Sequence, residues 1–234
     1  DVVKTDSSYM VTSVFEPFGD VCAVSMTYNV FADGSITAAE KMTDKGGLKD
    51  APAMFRFGMQ FAMPGSFSTL DFYGNGPWDN YCDRNSSALV GRYVQRVEDQ
   101  YHYGYVRTQS SGTKTYLRWL RVLDETGTGL EITSDTRFSG SALPFSQKEM
   151  DSALTDPRPR PNPTNTQNGN ATHSLELLPL AHLGTRSLGT TYVNFDLKEM
   201  GVGGIDSWGA WPLEQYRVPA AEYEFNFVIR PLKK

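Results

Sequence analysis

Apolar and polar residues alternate with a period of two in run after run of this chain, and that pattern confines it to a β architecture. In residues 21–30, Cys22, Val24, Met26, Tyr28 and Val30 fall on one face of an extended strand. Asp33-Gly34 then supplies a hairpin turn, and residues 35–42 return as the partner strand. Near the end, Tyr223, Phe225, Phe227 and Ile229 alternate with Glu224, Asn226 and Arg230. Further strand-like runs lie at 53–63, 69–72, 90–97, 103–108, 113–123, 129–134 and 190–195. Many short strands punctuated by Gly, Asp and Asn predict an all-β sandwich or barrel. The run 116–123 is apolar on both faces, as expected of a strand covered on both sides, and Trp119 within it is expected in the core.

Other signals are fewer. Ser146-Gln-Lys-Glu149 has capping-box spacing, which predicts a short helix ending near Thr155. Residues 155–172 carry four prolines and almost nothing apolar. They read as an exposed insertion within one domain spanning 1–234 rather than as a linker, because only 62 residues follow them.

The charge balance of −5 offers no basic footprint for nucleic acid, and the longest apolar runs are strand-sized, so no membrane span is expected. The chain opens on Asp1 without an initiator methionine, as expected of a processed form or a piece of something longer. Cys22 and Cys82 are too few for a disulfide framework or a zinc site and are read as packed free thiols, which leaves the compartment open. His102, His173 and His182 have no metal-ligand spacing, and no phosphate-cradling glycine motif or nucleophile elbow occurs. No cofactor and no metal are expected in this chain.

Two motifs carry chemistry. Gly201-Val-Gly-Gly-Ile-Asp-Ser-Trp-Gly209 surrounds one aspartate, one serine and one tryptophan with glycines. Glycine lets backbone adopt φ > 0 and approach a neighbour closely, so the run reads as a shaped loop. An indole beside Asp206 and Ser207 suits a sugar, its flat face against C–H patches and the polar groups on hydroxyls. The other reading, with Trp208 filling the core, stays open. The second motif, Tyr73-Gly-Asn-Gly-Pro-Trp-Asp-Asn-Tyr-Cys-Asp-Arg84, follows a strand, and Gly74, Gly76 and Pro77 are expected to form a turn. Asp79, Asn80, Asp83 and Arg84 crowd four polar groups behind it, either as a buried knot that pins a loop or as part of a site. Trp78 and Trp211 lie in loops, as surface packing or as part of a sugar platform.

Together these motifs resemble the C-terminal domain of family 2 glycoside hydrolases, specifically the β-galactosidases. Residues 74–84 resemble the stretch G-x-G-P-x-E-N-Y-x-D-R. Residues 101–105 and 112–119 resemble the next block, which ends in Arg118-Trp119, and 138–154 resemble its helix entry. Residues 200–209 resemble the signature M-G-x-G-G-D-[DN]-S-W-G. The blocks run in family order from about residue 10 to residue 231.

The resemblance implies a large antiparallel β-supersandwich, like that of the galactose mutarotases. It implies a structural role for Asp79, Asn80, Tyr81, Asp83, Arg84 and Arg118. It also implies catalytic glutamates on a separate (β/α)8 barrel, so that this chain holds no catalytic residue. The implied partners are the other domains of the same enzyme, that barrel above all, and a galactoside or oligosaccharide. By position Trp208, with Asp206 and Ser207 beside it, would line the aglycone side of the sugar site.

Four departures stand out. Ile205 replaces the first Asp of the signature, and Asp79 replaces a Glu, so its partner must sit closer or be bridged by water. Residues 108–112 lose the family's Pro and Glu, and 155–172 are extra. A free-standing carbohydrate-binding module and a mutarotase or epimerase are the alternative readings. They predict measurable sugar binding and mutarotation activity respectively.

Overall fold

A computed structural model describes residues 1–101, 110–147, 189–204 and 209–233. Eleven strands are present among them: β1 (Val2–Lys4), β2 (Ser8–Phe15), β3 (Cys22–Phe31), β4 (Ile36–Asp44), β5 (Arg56–Pro64), β6 (Thr69–Gly76), β7 (Leu89–Arg96), β8 (Lys114–Leu123), β9 (Gly129–Leu143), β10 (Thr190–Glu199) and β11 (Tyr223–Leu232). Every pairing is antiparallel, so the expected all-β antiparallel architecture is present. The strand order is β1-β2-β3-β4-β11-β9-β8-β6-β7, with β10 joining β9 to β5.

The β3–β4 hairpin forms where Asp33-Gly34 predicts it. Gly34 has φ +83, its N–H donates to the Phe31 carbonyl at 3.0 Å, and the Asp33 carboxylate accepts from the Ser35 amide at 2.8 Å. The strand is built as the period-two rule requires, with Cys22 and Met26 buried, while Val30 at its end is exposed.

β9 carries the chain between layers. Its first part, through Ser134, pairs with β11, whereas Ser139–Leu143 pair with β10. The residues between, 135–137, are exposed. The switch lays β10 over β11. Phe195 of β10 stands edge-on to Phe227 at 4.9 Å between ring centroids, with Phe225 at 6.2 Å and Phe61 of β5 at 5.9 Å. Phe195, Phe225 and Phe227 are all at most 2 % exposed and centre the core. Rings this close add to the burial of their large apolar area.

Several expectations need correction. β1 and β2 have no counterpart among the expected strands. Tyr73 to Gly76 continue β6 instead of turning. Gly74 and Gly76 are needed there for close approach, since a Cβ would stand 2.8 Å from Leu117 and from Tyr93 respectively. The chain turns only at the cis Gly76–Pro77 bond. Trp119 is half-buried rather than in the core. Leu120 and Val122 take the core face of β8, and Trp119 lies on the other face beneath Arg121, 4.2 Å from its ring centroid, and Arg92, at 5.8 Å. Among the described residues, the guanidinium groups of Arg92 and Arg121 and the ring of Tyr73, at 6.4 Å between centroids, lie against it there. Cys22 is buried as expected, but Cys82 is exposed. The strand expected at 103–108, the helix beyond Gln147 and the insertion 155–172 lie outside the described residues.

Candidate functional site

The 74–84 motif closes on itself through Asn80. Its side chain, 1 % exposed, donates to the carbonyls of Asn75 (3.1 Å) and Trp78 (2.9 Å) and accepts from the Thr115 amide (3.1 Å) and hydroxyl. Its own amide donates to the Thr113 carbonyl at 2.8 Å. A buried carboxamide is stable only when its groups are paired, and here they are shared between the loop and the start of β8. Tyr81 and Arg84 exchange backbone hydrogen bonds, and the Arg84 guanidinium lies 5.2 Å from the Tyr81 ring centroid. Burial pushes the Tyr81 phenol well above its ordinary pKa. Asp79 reaches Arg84 at 3.4 Å within the same loop, so the shorter side chain has a partner close by.

Asp83 links the two motifs. Its carboxylate accepts from the amides of Val202 (3.1 Å) and Gly203 (2.8 Å). Gly201 has to be glycine, because a Cβ there would stand 2.5 Å from the Asp83 carboxyl carbon. Two amides converging on one carboxylate form charge-assisted bonds, stronger than neutral ones. The Gly201 amide donates to the Tyr216 carbonyl at 2.9 Å, and Met200 to Phe55 at 2.8 Å. Gly203 adopts φ +68 and stands beside the Ala210 carbonyl and Pro212, each about 3.5 Å from where its Cβ would be. Gly203 therefore lies against the returning residues Ala210 and Pro212, and Asp83 holds the outgoing residues Val202 and Gly203. Asp206, Ser207 and Trp208, with Ile205, lie outside the described residues.

A second layer of polar groups supports this base. Arg56 donates to Glu199 at 2.6 Å and approaches Asp196 at 3.8 Å, and the Ser110 hydroxyl donates to Glu199 at 2.9 Å. The Cys82 thiol donates to the Glu199 carbonyl at 3.5 Å. Although Cys82 as a residue is exposed, its sulfur lies against the Glu199 and Tyr216 carbonyls, and this partial desolvation, with Asp83 and Glu199 adding to it, pushes the thiol up to about 11, so it stays protonated at neutral pH. Burial raises Asp196 well above the carboxylate range against the pull of Arg56, and it pushes Glu40 up to about 7.

The remaining candidates lie elsewhere. Arg118 is on β8, where it donates to the Tyr116 carbonyl at 2.9 Å and covers the Tyr73 ring at 4.9 Å. No described contact joins it to the 79–84 knot. Trp211 stacks on Phe55 at 6.5 Å between centroids, and Arg217 lies 5.7 Å from the Trp211 ring centroid. Phe55 is 76 % and Trp211 48 % exposed, so this pair forms an apolar surface next to the feet of the glycine loop. His102, His173 and His182 are outside the described residues. Glu199, Arg56 and Glu40 were missed from sequence, because nothing local marks a charged residue in a strand as buried.

With a layered antiparallel sheet and a glycine loop clamped at its edge, the chain can be compared with known proteins. Residues 2–229 match the family model of the β-galactosidase small chain, and the chain belongs to that family. It is 31% identical over 211 residues to a β-galactosidase of Halalkalibacterium halodurans, covering 90% of this chain and 18% of that protein. It is 31% identical over 231 residues to a β-galactosidase of Streptococcus thermophilus, covering 97% of this chain and 20% of that protein. The chain thus spans a fifth or less of the length of these relatives. Among solved structures it is similar to a putative aldose 1-epimerase of Escherichia coli K12, with a TM-score of 0.42 and 10% identity over 100% of this chain and 68% of the other.

Proposed function

We propose that this chain is a noncatalytic part of a β-galactosidase of the retaining, family 2 type, and that it completes the aglycone side of a site built mainly elsewhere in a longer polypeptide. The observation that carries this reading is the match over residues 2–229 to the small-chain family, together with β-galactosidase relatives several times longer than this chain. In retaining hydrolysis one carboxylate attacks the anomeric carbon while a second protonates the leaving oxygen. Both belong, in this reading, to a (β/α)8 barrel outside this chain.

This chain contributes a positioned indole. Trp208 would stack on the aglycone or acceptor sugar, with Asp206 and Ser207 beside it for hydroxyls. The clamp of Asp83 on Val202 and Gly203 supports that role, because a site on a loop works only if the loop's base is held. The exposed Phe55–Trp211 pair supports a contact between this surface and another domain of the same enzyme.

Trp208→Ala in the longer enzyme tests the proposal. The expected result is a loss of about tenfold or more in kcat/KM for disaccharides, with a smaller change for galactosides carrying small leaving groups. Equal changes across all aglycones would overturn it.

A further inference from the structure

The face of β6, β7 and β8 opposite the core carries apolar side chains that this chain leaves open. Tyr73 of β6 stands opposite Arg92 of β7 and Trp119 of β8, and Asp71 opposite Val94 and Arg121, so these side chains share one side of the sheet. Leu70, Phe72, Leu120 and Val122, on the other side, are buried in the core. Val90, Val94 and Tyr116 are each more than half exposed, and Tyr73 is exposed as well. Single exposed apolar residues are ordinary, but a group of them among tyrosine, tryptophan and arginine has the composition of a protein interface.

The charges on this face are met within the chain, with one exception. Arg92 donates twice to Asp71 at 3.0 Å, and Arg121 lies 2.7 Å from Glu131 and 3.6 Å from Asp71. Arg96, farther along β7, is paired with Glu98. The Arg118 guanidinium lies 4.9 Å from the Tyr73 ring centroid and gives one N–H to the Tyr116 carbonyl at 2.9 Å, with no carboxylate partner among the described residues. It has five N–H donors, and a carboxylate is the group that matches them best.

Tyr116 adds a second, independent observation. It adopts φ +56 in the irregular part of β8, and its exposed ring buries little surface in return. Strained backbone of this kind gathers where a surface meets a ligand or partner.

We propose that this face docks against another domain of the longer enzyme, through a surface that brings a carboxylate to Arg118 and apolar side chains to Val90, Tyr73 and Tyr116. Four-fifths or more of the length of the β-galactosidase relatives lies outside the part that this chain matches, so the partner has ample chain to come from. A two-fold contact with a second copy fits less well, because it would bring the same arginines against themselves. The inference rests on the chain's being part of a longer enzyme, not on the role given to Trp208.

Val90→Cys, made in the 234-residue chain and in the longer enzyme, tests whether the face is covered. Iodoacetamide labelling at that position, separated from Cys82 by peptide mapping, is expected to be about tenfold or more slower in the longer enzyme. Equal rates would overturn the docking. Labelling of the isolated chain that slows with its concentration would assign the face to a second copy and overturn it too. Val90→Glu is expected to lower the temperature at which the longer enzyme loses activity by about 5 °C or more, and Val90→Lys by less, because only the added carboxylate repels the partner. Equal falls, or the reverse order, would rule out an acidic partner. Val90 is on the surface, so both changes should leave the melting temperature of the isolated chain within about 2 °C. Tyr116→Gly is expected to lower the inactivation temperature of the longer enzyme without lowering the melting temperature of the isolated chain. Falls of the same size in both would show that the strained tyrosine serves this chain alone. Aglycone-dependent kinetics of Trp208→Ala report on the glycine loop and thiol labelling reports on this face, so the two proposals fail separately.

Discussion

Single side chains decide whether the glycine loop has a base. Asp83 is the only described side chain that holds Val202 and Gly203 together, and removing it leaves two amides without their acceptor. Asp83→Ala is expected to cost about 1–3 kcal/mol and to speed hydrogen exchange at those amides, readable by denaturant unfolding and by mass spectrometry. Glu40 gives a pH signature. Glu40 is 7 % exposed, and burial raises its carboxyl to about 7 from an ordinary value of 4.5. The folded state therefore binds this proton more tightly than the unfolded chain. The stability it lends is complete below about pH 4.5 and is lost as pH rises through about 7. Glu40→Gln should then be more stable than the parent above pH 7, by on the order of 2 kcal/mol. Urea midpoints from pH 5 to 8 check this, and a difference that shrinks with rising pH would contradict it. Asp196, raised in the same direction by burial, steepens the fall.

Strands impose their own limits. β5 and β10 approach so closely that a Cβ on Gly58 would stand 2.4 Å from the Asp196 Cα and from the Phe195 carbonyl oxygen. Neither backbone atom can give way, so Gly58→Ala is expected to destabilise by about 3 kcal/mol or more, seen as a fall in melting temperature. β8 carries the opposite opportunity. Its register shifts between Lys114 and Leu117, and Tyr116 inside that irregularity has φ +56 while 55 % exposed. Left-handed backbone costs a bulky L-residue roughly 1–2 kcal/mol. Tyr116→Gly should therefore be neutral to stabilising, by up to about 1 kcal/mol, despite the entropy glycine adds to the unfolded chain. A lowered melting temperature would mean that the Tyr116 ring makes a contact worth more than its strain.

At the scale of the whole molecule, the unusual surfaces gather where another domain is proposed to sit. Phe55 and Trp211 stack on each other yet stay exposed beside the feet of the loop. Replacing both with serine should move the stability of the 234-residue chain by no more than about 0.5 kcal/mol per site, as for other surface positions. In the longer enzyme the same pair of changes should lower the temperature at which activity is lost. Equal effects in the two contexts would place the pair's role inside this chain.

What the sequence determined by itself is what acts over a few residues. The alternation of Tyr223, Phe225 and Phe227 settled which face of β11 is buried, and Asp33-Gly34 settled the β3–β4 turn, because side-chain parity and glycine's φ > 0 are local properties. The order of the family blocks added membership on top of that. Tertiary structure alone decided that Asp83 would meet Val202 and Gly203, 119 and 120 residues later, and that Lys114 would line one cavity with Gln95 and Gln100. It also decided that Gly74 and Gly76 belong to a strand and that Trp119 lies under arginines. Such outcomes depend on which strands become neighbours and how closely they pass. That is set by packing the whole sheet at once, and no local run of residues carries it.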